Sequence, residues 1–263
     1  MIDSHVHTDD KRFANDIDAV LRSARSANVI AQIIPSTARY KWPDVRKLCA
    51  QHADLFPSYG LHPCFSNHHS EGDLEELAVW LGREKPVALG ECGLDYHTSG
   101  AEKSLQQKLF AAQLALAREF NLPVVIHANK AVEDIIRMIR TSGHYQGMVH
   151  SFNGSTQQAA RLVDLGYRLS FGGAITYQRA KRLRALVAQL PLDALLLETD
   201  APDQPDATHW KQRNEPAYLR DVWQCVSSLR SESPTEIAYK TCTNAIELFR
   251  LPVRVDKQAF LQA

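Results

Sequence analysis

Residues 121–130 read NLPVVIHANK, and the order of events in this stretch sets the pattern for the whole chain. Before it lies AEKSLQQKLFAAQLALAREF (101–120), helix-forming in composition and helical in its apolar spacing. Asn121-Leu122-Pro123 stops that helix, because proline disfavours the helical conformation of the residue before it. The apolar run Leu122 to His127 then reads as a short buried strand, with an imidazole at its carboxyl end. Helix, stop, strand and a chemically competent strand-end residue follow one another within residues 101–127.

The unit recurs in both directions. Apolar or β-branched runs occupy Ile2 to His7, Val29 to Pro35, Pro57 to His62, Pro86 to Glu91, Leu122 to His127, Gly147 to His150, Tyr167 to Phe171 and Ala194 to Asp200. Helix-like segments lie between them, such as STQQAARLVDL (155–165), which Gly166 ends just before Tyr167. Strand starts fall 20 to 36 residues apart, the length of a βα unit. Eight such units in a chain of 263 residues predict a single-domain α/β fold over 1–263, the (β/α)₈ TIM barrel. A doubly wound open sheet is the alternative. No linker, low-complexity tract or repeat beyond the βα rhythm divides the chain.

Composition excludes several classes of function. With 44% hydrophobic and 23% charged residues the chain is neither disordered nor membrane-like, and no apolar run reaches the roughly 18 residues of a membrane span. An Asp and two histidines stand where an export signal would place a basic start and an apolar stretch, so the expected location is cytoplasmic. Cys49, Cys64, Cys92, Cys225 and Cys242 form no C-x-x-C pair, which argues against a disulfide framework or a cysteine-held zinc. A formal net charge of zero offers no long-range attraction to nucleic acid. Phosphates gripped through bound metal ions need no such field. The basic run Arg179, Lys181, Arg182, Arg184 could touch phosphates, but reads first as a solvated helix face.

Chemistry collects at the carboxyl ends of the strands. His5 and His7 sit two apart in DSHVH and so share a face while Val6 turns away. His62, Glu91, His127, His150 and Asp200 end later runs. In a (β/α)₈ barrel those ends open on one face, where such folds place their active sites. Four of these imidazoles (His5, His7, His127, His150) and two carboxylates exceed what one open zinc site takes, so two divalent ions are expected. His5, His7 and Asp200 would hold one, His127 and His150 the other, with Glu91 bridging. Two cations about 3.5 to 4 Å apart clamp the attacking and leaving oxygens of a displacement and lower the pKa of a bound water, so hydrolysis is the expected reaction. Asp200 is expected both to bind an ion and to take the proton of the attacking water, with Glu198 as its competitor for that role.

The segments DSHVH (3–7), GLHP (60–63), GECGLDYH (90–97), VIHA (125–128), HSFNG (150–154), ETDAP (198–202), NEP (214–216) and TNAIELF (243–249) together resemble the TatD family of metal-dependent deoxyribonucleases, within the amidohydrolase-like barrels. The resemblance covers nearly the whole chain. It implies a barrel with two divalent ions, magnesium, manganese or zinc, and puts the family's ligand positions on His5, His7, Glu91, His127, His150 and Asp200. DNA is the substrate it implies. The chain is separately expected to act as a monomer, with no stable protein partner and no membrane. The chain departs from many relatives after ETDAP, where it carries DQPDATHW (203–210).

Other side chains are weighed against these. His62 and Asp95 match site-lining positions and are expected to contact substrate, a water or a ligand histidine, with turn structure in GLHP and GLD as the competing reading. Asp3 shares the face of His5 and His7 and stands either behind them or as a strand-starting residue. His68, His69, His97, His144 and His209 are expected in solvent, and Cys92 in packing. A small ester, amide or lactone as substrate, or a barrel that binds without catalysis, are the competing functions.

Overall fold

The computed structural model describes residues 1–97 and 102–256. Eight strands form one parallel sheet in the order of the chain: β1 (Ile2–Asp3), β2 (Ala31–Pro35), β3 (Leu55–Tyr59), β4 (Ala88–Asp95), β5 (Val124–Asn129), β6 (Gly147–Val149), β7 (Tyr167–Phe171) and β8 (Leu195–Leu197). Between and after them come α1 (Ile17–Ser26), α2 (Trp42–Gln51), α3 (Glu71–Glu84), α4 (Lys103–Glu119), α5 (Val132–Ser142), α6 (Thr156–Asp164), α7 (Lys181–Gln189), α8 (Leu219–Leu229) and α9 (Pro234–Phe249). This is the (β/α)₈ barrel. A doubly wound sheet would reverse its strand order at a switch point, and this order never reverses. Ala101, the first residue of the helix expected before β5, lies outside the described residues, as do 257–263 of the expected domain.

Contacts group the chain into two compact units. One comprises residues 1–34 with those from 168 onward. In it β1 pairs with β2 and β7 with β8. The first strand also meets the last, since Ser4 N–H donates to Leu197 O at 3.0 Å and Asp200 N–H to His5 O at 3.0 Å. The other unit comprises residues 35–167, in which β3, β4, β5 and β6 pair in turn. Trp42, Tyr59 and Trp80 pack edge-on or tilted in its core, with centroids 5.7 to 6.5 Å apart.

Strands are buried on both faces, and the helices bury one stripe each. In α5 the buried residues are Val132, Ile135, Ile136, Met138 and Ile139, the spacing of one helical face, and Gly143 closes the helix in the left-handed conformation at φ 67°. Ser155 and Gln158 cap α6 reciprocally: Gln158 N–H donates to Ser155 Oγ, and Ser155 N–H to Gln158 Oε1. Among the described residues no helix is long and apolar enough to cross a membrane.

Several strands end earlier than the apolar runs predict. β1 stops at Asp3, β3 at Tyr59 and β8 at Leu197, so His5, His7, His62 and Asp200 stand on the loops that leave the strands rather than in the ladder. β4 runs on instead to Asp95.

Candidate metal centre

In the first unit, hydrogen bonds from the loop after β8 to the segment after β1 gather one cluster. Asp3 is fully buried, and its Oδ1 accepts from Thr199 N–H at 3.0 Å and His5 N–H at 3.3 Å, while Oδ2 accepts from the Thr199 hydroxyl at 2.5 Å. Burial pushes the Asp3 carboxyl well above its ordinary range, and these hydrogen bonds offset only part of that. Asp3 therefore acts on the backbone of both segments, which answers the question its position raised. Val6 is buried and donates to Ile33 O, so the side chains on either side of it turn the other way.

The result is a triad. His5 Nε2 and His7 Nε2 lie 3.2 Å apart, and Asp200 Oδ1 lies 3.5 Å from the first and 3.6 Å from the second. Donor atoms held about 2.0–2.2 Å from one ion in tetrahedral array are about 3.3–3.6 Å from one another. The spacing of this triad fits that array. Asp200 has φ 57°, a region that costs a non-glycine residue energy. Asn214, buried, holds the turn by donating from its side-chain amide to Thr199 O and Asp203 O, both at 2.8 Å, and Gln204 Nε2 donates to Asp200 Oδ2 at 2.5 Å. Glu198, two residues before Asp200, is wholly buried.

In the second unit, a second cluster centres on Glu91. The ladder between β4 and β5 is interrupted between Leu89 and Cys92, and such an irregularity re-aims the side chains within it. Glycines on both sides make room for this. A Cβ at Gly93, φ 130°, would stand 2.1 Å from His127 O, and one at Gly90, φ 154°, 2.7 Å from the Val125 side chain. The two backbones thus approach closely where GECG meets VVIH. Glu91 Oε1 lies 3.2 Å from His127 Nδ1, 3.0 Å from His150 Nε2 and 3.1 Å from His62 Nε2, and the first two imidazoles are 3.1 Å apart. Glu91, 2% exposed, forms a convergent ligand set with His127 and His150, and His62 Nε2 stands against the same carboxylate oxygen.

Asp95 stands behind this cluster. Its Oδ2 takes His127 Nε2 at 2.9 Å, the Asn129 amide at 3.2 Å and the Cys64 thiol at 3.4 Å. A carboxylate behind a ligand imidazole fixes its tautomer and orientation, here turning Nδ1 toward Glu91. Of the roles open to Asp95 in the sequence, the structure therefore favours the one behind a histidine over contact with substrate. Burial lowers the basicity of His127, but the hydrogen bonds to Asp95 and Glu91 outweigh it and the imidazole is pushed up. At His62 burial wins over Glu91 and the imidazole is pushed down.

The remaining expectations are met unevenly. Cys92 is buried, its thiol pushed up by burial and turned to Val125 O. His68 and His97 are exposed, whereas His69 and His209 are half-buried. His144 corrects its expectation outright: it is only 5% exposed, and its ring bridges Tyr167 OH at 3.1 Å and Leu122 O at 2.9 Å. Arg179, Lys181 and Arg182 are exposed as a solvated face requires, but Arg184 is half-buried and donates to Ile175 O. Sequence alone points to no site role for Asn214, Gln204, Asn129 or Cys64. NEP marks Asn214 only as part of a motif, and nothing local to the other three distinguishes them.

Comparison with known proteins completes the description. A family model described as TatD related DNase matches residues 2–250. The chain is 39% identical over 254 residues to the uncharacterized metal-dependent hydrolase YjjV of Escherichia coli K12, covering 95% of this chain and 98% of the relative. It is 32% identical to the uncharacterized metal-dependent hydrolase YabD of Bacillus subtilis, over 95% of this chain and 99% of that one. The crystal structure of the E. coli YjjV, a TatD homologue, superposes with a TM-score of 0.93 at 38% identity, over 96% of this chain and 98% of that one.

Proposed function

This chain belongs to the TatD related DNase family and is a metal-dependent hydrolase, and we propose that its reaction is the hydrolysis of phosphodiester bonds in DNA by one catalytic domain spanning residues 1–263. The observation that carries the reading is the pair of ligand triads, His5/His7/Asp200 and Glu91/His127/His150, whose donor atoms lie within 4.8 Å of one another in each. Imidazole nitrogens and carboxylate oxygens are the donor chemistry of zinc and manganese sites; the His5/His7/Asp200 spacings fit the array around one ion, while the Glu91 triad is drawn closer, at 3.0 to 3.2 Å. Divalent ions supply Lewis acidity there and lower the pKa of bound water.

The chain's own residues do the rest. Asp200 accepts the proton of the attacking water, and Asn214 holds the turn that presents it. Asp95 keeps His127 in the tautomer whose Nδ1 faces Glu91. His62 orients the substrate phosphate. Glu91 would hold an ion together with His127 and His150. In this reading the protein acts as a monomer in the cytoplasm.

The test is turnover of the manganese- or magnesium-loaded protein on single-stranded DNA, duplex DNA, RNA and a panel of small esters, lactones and amides. Release of nucleotides or shorter strands from DNA, abolished by chelator and restored by metal, is the expected result. Turnover confined to a small ester or amide would replace the substrate and keep the metals. No turnover on any substrate by metal-loaded protein would leave a barrel that only binds.

A further inference from the structure

Beside Asp200 lies a cavity of about 490 Å³ whose walls come from the loop after β7 and the segment DQPDATHW. Its lining includes Tyr177, Arg179, Gln204, Pro205, Trp210 and Lys211. The volume falls in the range of small-ligand sites. Three observations identify the kind of ligand it takes.

The first is position. Gln204 both lines the cavity and donates to Asp200 Oδ2, so one hydrogen bond separates the cavity from the triad. The second is charge. Arg179 and Lys211 line the cavity and no carboxylate does, which suits an anion. The third is an aromatic surface kept in place without being covered. Trp210 is 58% exposed, with the Lys211 ammonium 4.3 Å from its ring centroid. Tyr177 is tied by its hydroxyl to Pro205 O at 2.9 Å and Asp206 O at 3.2 Å, with the Arg179 guanidinium 5.1 Å from its ring.

The loop that presents Trp210 is anchored on all sides. Arg12 pairs with both oxygens of Asp203 at 2.7 and 2.8 Å, and Arg213 with both oxygens of Asp16 at 2.6 and 2.9 Å. His209 takes Asp206 Oδ2 at 2.6 Å and stacks on Tyr218 with centroids 3.5 Å apart. An exposed indole on so braced a loop is a platform, and platforms of this kind next to cations are how single strands are held without reading sequence: bases stack, phosphates pair.

We propose that this cavity is a nucleotide subsite for single-stranded DNA, in which a base stacks on Trp210 and an adjoining phosphate pairs with Arg179 and Lys211 while the strand continues to the metal triad. The proposal rests on the phosphodiester reading above. It gives the segment DQPDATHW the task of gripping the strand.

The experiment measures binding of two short fluorescent strands of phosphorothioate linkage, one of thymidines and one abasic, to the metal-loaded protein. Trp210→Ala should weaken the thymidine strand about tenfold, the worth of one stacked base, and the abasic strand far less. Trp210→Phe should recover most of the loss. Arg179→Ala with Lys211→Ala should weaken both strands and reduce the salt dependence of each. Equal affinity of native protein and Trp210→Ala for the thymidine strand, an equal loss on both strands, or no binding by native protein would each overturn the subsite. Turnover of an unmodified strand by native protein separates the two readings. Cleavage with binding indifferent to Trp210 removes the subsite alone, while Trp210-dependent binding without cleavage keeps the subsite and removes the nuclease.

Discussion

Asp200 carries more of the account than any other residue. It sits at φ 57°, in a turn that Asn214 ties at two carbonyls, and points Oδ1 toward both His5 and His7. A strained residue over-determined by its neighbours is a common mark of a working site. Glu198, two residues earlier, has the same chemistry but is wholly buried. Asp200→Asn keeps the shape and removes the base, so turnover should fall about 100-fold or more and the metal of the His5/His7 triad should be lost. Glu198→Gln should cost less of both. An Asp200→Asn protein that keeps its turnover and metal while Glu198→Gln loses them would reverse the assignment. The left-handed turn itself was not legible in ETDAP, because the amide that stabilises it comes from Asn214, over a dozen residues downstream.

At the scale of elements, the fold was legible wherever the signal is local. NLPVVIH states a helix stop, a buried strand and a ligand in consecutive residues, and β5 forms there but runs from Val124 to Asn129, two residues later at each end than the apolar run, so His127 lies within the strand. GECG was legible as a strand end but not as a bulge, since the reason for its glycines is the backbone of β5 pressed against β4. His144 was misread for the same reason: its partners, Leu122 and Tyr167, are more than twenty residues away in opposite directions, so polar neighbours in sequence suggested solvent. Its burial has a consequence for stability. Burial pushes the folded-state pKa of His144 below its ordinary value, whereas in the unfolded chain the ring titrates near about 6.5. Below that pH the unfolded state binds the extra proton, so this contribution is complete above about pH 6.5 and is lost as pH falls toward the folded-state value. His144→Gln should therefore flatten the loss of thermal stability between neutral and mildly acidic pH relative to native protein. A variant with the same acid slope would show that the ring is not held neutral.

At the scale of the molecule, a chain with formal net charge zero is proposed to act on a polyanion, so its attraction must be local. The metal triads and the cations around Trp210 supply it in two places. Each triad combines imidazoles with one carboxylate, and the central claim is that each holds a divalent ion. The direct measurement is elemental analysis of the purified protein, reconstituted with manganese or zinc and dialysed exhaustively, beside the same analysis of Glu91→Gln. The account predicts about two ions per chain in native protein, and a loss in the variant of both ions if Glu91 bridges or of one if it serves only its own triad. No more than trace metal in folded, reconstituted native protein would contradict it.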